Sequence, residues 1–116
     1  MPIRTKPLAN TPASMSEKDW SRQFRQLAGH LGWTLQYHPF LSIYSDKGFP
    51  DLTLYRKRNG VGELMFVELK TERGKVSDKQ QEWIDALNTV PGIRAYVFRP
   101  SQFDAAVAIL TAKGEG

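Results

Sequence analysis

Two carboxylates and an ammonium sit near the ends of "GFPDLTLYRKRNGVGELMFVELK", residues 48–70: Asp51, Glu68 and Lys70. Between them the chain reads as two β-strands around Asn59-Gly60, the strongest short signal for a two-residue type I′ turn. With that turn Asp51 faces Glu68, and facing residues of an antiparallel pair share one side of the sheet. Lys70, two positions beyond Glu68, points the same way. The opposite side holds Leu52, Leu54, Met65, Val67 and Leu69, wholly apolar as a core face should be. Moving the turn centre to Val61 would set Glu68 among the leucines and bury a carboxylate there, which is unfavourable.

Two carboxylates so close repel and raise each other's pKa unless a cation lies between them. A hard divalent ion with oxygen ligands, Mg²⁺ or Mn²⁺, is the natural occupant, with the Leu69 carbonyl as a further ligand. Lys70 would then orient a water molecule or stabilise a developing negative charge. The same three residues would also make a surface salt bridge, and their types alone leave both readings open.

The elements that must position them follow from periodicity. Helix one is expected from about Ser16 to Leu31, capped by Ser16 with Asp19 as the acidic partner of a capping box. Its apolar face is Trp20, Phe24, Leu27, Ala28 and Leu31. "WTLQYH" (33–38) alternates like a strand, and 39–50 reads as a loop. After the hairpin, Ser77 opens a helix with Trp83, Ile84 and Leu87 on one face. "IRAYVF" (93–98) is a strand, and Ser101 is expected to cap a last helix through Leu110, with Asp104 three residues in. The order α-β-β-β-α-β-α belongs to the α/β class, a mixed β-sheet flanked by helices.

Two polar residues fall where apolar ones are expected. Glu17 lies at the edge of the apolar face of helix one, either favoured by the helix dipole or serving as a further metal ligand. Gln80 shares a stripe with Trp83, Ile84 and Leu87, so its amide either closes a capping box with Ser77 or reaches a polar site. His30 suits a helix C-terminus. His38, Lys47, Arg73 and Lys75 are ordinary solvated side chains by default and the first candidates for phosphate contacts if nucleic acid binds.

The chain has 116 residues, enough for one domain with a core of its own. It contains no cysteine, which excludes disulfides, thiolate zinc sites and a cysteine nucleophile. A reducing cytoplasm suits such a chain. No apolar run approaches the roughly 20 residues that span a bilayer. "MPIRTKPLANTPAS" lacks the apolar core of a secretory signal, so 1–14 is expected to be a flexible tail and 15–116 the single domain. The net charge of +4, from 16 basic and 12 acidic residues, suits a polyanionic partner without demanding one.

Asp51 in "GFPDLTL", then Glu68-x-Lys70 in "FVELKT", resembles the PD-(D/E)xK nuclease superfamily and, within it, the VRR-NUC family. "SEKDWSRQFRQLAGHLGW" is similar to the family's first helix, with Glu17 at its acidic position. "VSDKQQEWIDAL" is similar to the helix after the motif, with Gln80 at the family's glutamine, and "YVFRPS" to the closing strand and turn. Ser21 departs from the pattern, standing where many relatives have glutamine. The resemblance implies a restriction-endonuclease-like core and divalent-metal-dependent cleavage of phosphodiesters. Asp51, Glu68 and the Leu69 carbonyl would hold the metal with help from Glu17. Lys70 would activate water, and Gln80 would hold Lys70 or the phosphate.

Stand-alone members of this size, from phages and bacteria, resemble homodimers that resolve four-way (Holliday) junctions, which implies the cytoplasm of a bacterial host. Trp20, Phe40, Ile43 and Tyr44 are interface candidates for such a homodimer. Other expectations are a nuclease for flaps, ends or specific duplex sequences, or a non-catalytic DNA-binding module of the same fold.

Overall fold

The computed structural model describes residues 11–39 and 47–112. Its elements are α1 (Glu17–His30), β1 (Leu35–Tyr37), β2 (Leu52–Arg58), β3 (Val61–Leu69), α2 (Asp78–Leu87), β4 (Ile93–Phe98) and α3 (Phe103–Thr111). The four strands make one mixed sheet in the order β1-β2-β3-β4. The first three pair antiparallel; β4 runs parallel to β3, because the connection between them crosses over through α2. This is the expected element order and fold class.

The hairpin forms as its turn residues dictate. Asn59 and Gly60 both adopt positive φ, 52° and 81°, which a type I′ turn requires. Leu52 therefore pairs with Val67, and the ladder runs without a bulge to Arg58 and Val61. Period-two alternation then buries Leu52, Leu54, Met65, Val67 and Leu69 on one face. Trp20, Phe24 and Ala28 of α1 and Ala106 and Leu110 of α3 join the same cluster. Trp20, considered above as interface material, is wholly buried there; its indole Nε1 donates to the Phe98 carbonyl at 3.0 Å. That bond ties the start of α1 to the end of β4. Phe40, Ile43 and Tyr44 lie outside the described residues.

Arg56 interrupts the apolar pattern of β2 yet is buried with it. Its guanidinium lies over the Trp33 ring at 4.2 Å and donates to the carbonyls of Leu31, Leu110 and Ala112. It also pairs with Glu63 at 2.7 Å. One cation thus closes the C-terminal ends of α1 and α3, where carbonyls lack helical partners.

Local details depart from expectation in three places. Ser16 caps α1, accepting from the Asp19 N–H, but the Asp19 side chain turns to Arg22 instead of back to the cap. Aspartate is a methylene shorter than the glutamate a capping box prefers. Ser101 does not cap the last helix: Pro100–Gln102 form a 3₁₀ turn and α3 begins at Phe103. Of the stretch expected to be a tail, residues 12–14 form another 3₁₀ turn. Among the described residues no helix is long and apolar enough to cross a membrane.

Candidate active site

The loop that delivers Asp51 is clamped to α2. Gly48 has φ 88°, and a Cβ there would stand 2.7 Å from the Lys79 backbone, so only glycine fits. Phe49 then sets its ring edge-on to Trp83, 4.9 Å away, and to Phe66, 5.7 Å away. Pro50 is buried, and Asp51 follows, half-buried, at the mouth of β2. Trp83 belongs to α2, whose Ser77–Gln80 capping box is complete. The helix start and the aspartate loop are therefore a single packed unit.

Glu68 sits opposite, 98% buried, one residue before the end of β3. The Gln80 amide Nε2 donates to Glu68 Oε2 at 3.1 Å, while its Oε1 accepts from the Ser77 N–H at 2.9 Å. Both readings of Gln80 hold at once. Lys70 Nζ lies 3.8 Å from the same Glu68 oxygen, and its backbone N–H is anchored on the Phe98 carbonyl. Asp51, Glu68, Lys70 and Gln80 thus come together as expected. Leu69 joins Glu68 to Lys70, buried through its side chain in the core.

Burial first, and then the negative charge of Asp51, push the Glu68 carboxyl up from 4.5 to about 8, with Lys70 pulling in the opposite direction. Glu68 Oε1 is buried without a hydrogen-bond partner. Buried carboxylate oxygens rarely stay unpaired, and two acidic groups with an orphaned oxygen suit a hard divalent cation. The donor set present fits Mg²⁺ or Mn²⁺.

Glu17 is not brought to this pair. Among the described residues no three His, Asp or Glu side chains cluster closely enough to hold a metal, and Glu17 is exposed. It lines a groove of about 740 Å³ between α1 and β1, shared with Ser21, Gln36 and His38. Ser21, where the resemblance would lead one to expect glutamine, lines this groove. Lys47, Arg73 and Lys75 are exposed in the turns flanking the site.

Sequence reasoning missed the Gly48–Phe49–Trp83 clamp, although a glycine before an aromatic and a tryptophan on α2 were its visible signals. It also missed Arg25, whose partner Gln36 is the inward-facing amide of a strand with exposed Leu35 and Tyr37.

A mixed sheet with a crossover helix, and acidic groups and a lysine at the hairpin's open end, define an α/β protein with a restriction-endonuclease-like core. The VRR-NUC domain family matches residues 43–102, more than half of the chain, and the chain belongs to that family. It is thus a nuclease domain, a hydrolytic enzyme with DNA as the implied substrate. Asp51, Glu68, Lys70 and Gln80 all lie inside the matched range, whereas Glu17 and α1 lie before it. No curated protein and no solved structure matches the chain.

Proposed function

We propose that this nuclease is a Mg²⁺- or Mn²⁺-dependent DNA endonuclease selective for four-way junctions, working as a homodimer in the bacterial cytoplasm. The observation that carries the metal dependence is the orphaned Glu68 oxygen beside Asp51. Asp51, Glu68 and the Leu69 carbonyl would hold the ion. Bound there, it supplies Lewis-acid charge at the reacting phosphate.

The chain's own groups do the remaining work. Gln80 fixes the Glu68 carboxylate through Oε2, which leaves Oε1 free. Lys70, attached to the sheet through Phe98, stands beside that carboxylate and orients the attacking water. Its ammonium then stabilises the charge that grows on the phosphate oxygens as the water oxygen bonds to phosphorus. The bond from phosphorus to the leaving strand oxygen breaks as the new one forms. The attacking water gives up its proton to solvent, and the leaving oxygen takes one from solvent.

The junction preference rests on resemblance and on geometry. Resolving a junction takes two matched cuts, and a twofold dimer supplies two sites. Exposed Leu35 and Tyr37 on the edge strand, with Val61 near the turn, offer apolar surface for a second copy.

The test is cleavage of labelled four-way junction, flap and linear duplex in Mg²⁺ or Mn²⁺, with Lys70→Ala alongside and the solution mass measured by small-angle scattering. Lys70→Ala is expected to slow cutting by on the order of 10²–10³-fold, as loss of a charge-stabilising donor does. Equal cutting of all three substrates would remove the junction reading and leave the nuclease. Junction binding without cutting in either metal would favour a binding module.

A further inference from the structure

We infer that the groove between α1 and β1 binds the sugar–phosphate backbone of DNA flanking the stretch held at the carboxylate pair. The inference rests on the nuclease reading, and it adds a binding surface formed by residues outside the motif.

Both walls of the groove begin at the end of the sheet that carries Glu68 and Lys70. Gln36 lies on the core face and the carboxylates on the opposite one, so DNA reaching both passes that end of the sheet. The start of α1 is fixed by Trp20 on Phe98, and Phe98 pairs with Leu69, the neighbour of Glu68 and Lys70. On the other wall, Tyr37 pairs with Thr53, two residues from Asp51, and His38 follows at the rim. From Glu17 the groove continues along α1 past Lys18 and Arg22 to Arg25. Eight residues of α-helix rise about 12 Å, room for about three phosphates at roughly 3.4 Å of duplex axis per nucleotide.

The chemistry of the lining selects a polyanionic backbone. Three cations face one carboxylate, and Ser21, Gln26, Gln36 and His38 add hydrogen-bonding groups. No aliphatic side chain and no Phe, Tyr or Trp lines the groove among the described residues, so charge and hydrogen bonding are what it chiefly offers a strand.

Arg25 is presented for the purpose. Its Nε is held by Gln36 Oε1 at 3.0 Å, and Gln36 is itself fixed by the carbonyls of Arg25 and Trp33. Both terminal guanidinium nitrogens are left without a hydrogen-bond partner among the described residues, and a planar fork of that kind suits a phosphate. Among the described residues Arg22 pairs only with Asp19, and that pair is solvent-exposed, so exchange for a phosphate costs little. Contacts of this type position DNA without reading sequence.

The test is fluorescence anisotropy of labelled junction and duplex in EDTA across a salt series, using the full chain. Arg22→Ala/Arg25→Ala should lower the slope of log K against log salt by about 0.9 per lost contact, about 1.8 for the pair. Affinity should fall for every DNA tested. Lys18→Ala/Arg22→Ala removes two contacts without touching the Arg25–Gln36 bond, and should lower the slope equally if the first variant folds poorly. Lys57→Ala, exposed near the hairpin turn, should leave the slope unchanged.

An unchanged slope in folded double variants of a protein that cuts DNA overturns the groove and leaves the nuclease. A slope that falls as expected, in a protein that cuts nothing in Mg²⁺ or Mn²⁺, keeps the groove and overturns the nuclease. A wild-type chain that binds no DNA overturns both.

Discussion

Gln80 and Glu68 are joined by a bond of 3.1 Å from amide to carboxylate, and the same amide closes the cap of α2 through its other atom. The start of α2 and the buried Glu68 carboxylate therefore share one side chain. The two roles are separable. Ser77→Ala removes the cap and should cost about 1 kcal/mol in denaturant melts, with a modest loss of cleavage. Gln80→Ala should cost a similar amount of stability and slow single-turnover cleavage by on the order of 10–100-fold, the usual range for a group supporting a metal ligand. Equal cleavage losses in the two variants would reduce Gln80 to a cap.

Gly48 holds the aspartate loop where it belongs. Gly48→Ala adds a Cβ 2.7 Å from the Lys79 backbone at φ 88°, so loop or helix must move. Such a substitution destabilises by more than about 1 kcal/mol. Cleavage should fall with it, since Asp51 is three residues away. A structure of the variant in which Phe49 still packs on Trp83 and activity persists would contradict this.

Stability should depend on pH in a direction set by Glu68. Its carboxyl is raised from 4.5 to about 8 in the folded protein, so the native state keeps a proton that the unfolded chain releases. This group's contribution is fully present below about 4.5 and is lost as pH rises through about 8. The melting temperature of the metal-free protein should therefore decline across that window, and Glu68→Gln should flatten the decline. Manganese competes with the proton for the same oxygens. Its stabilising effect should be small near about pH 5 and largest above about pH 8. Thermal melts with and without the ion check both statements.

Arg56 is the test of the far end of the molecule. Arg56→Ala strands three carbonyls and the Glu63 carboxylate that its guanidinium satisfies. Breaking a buried pair in this way costs about 3–5 kcal/mol. Arg94, which also reaches Glu63, limits the damage on one side only. Urea denaturation should show the loss as a shifted midpoint with an unchanged slope.

Much of this was legible in the chain itself. Asn59-Gly60 set the hairpin register, and alternation set the apolar face, so the side shared by Asp51, Glu68 and Lys70 followed from rules that act over a few residues. The cap at Ser77 and the order of elements are of the same kind. Local chemistry also reveals Gln80 as an amide on an apolar stripe, but does not choose between its two partners.

What the tertiary structure alone decided concerns approaches between distant segments. The burial that raises Glu68, the orphaned Oε1, the packing of Gly48 on Lys79 and the groove beside Arg25 all depend on where helices land on the sheet. Glu17 shows the difference most plainly: helical periodicity puts it beside the apolar face, yet Trp20, bonded to a carbonyl 78 residues away, fixes α1 so that Glu17 opens to the groove. Periodicity gives the face of a helix, whereas long-range packing gives its position, and a metal ligand needs both.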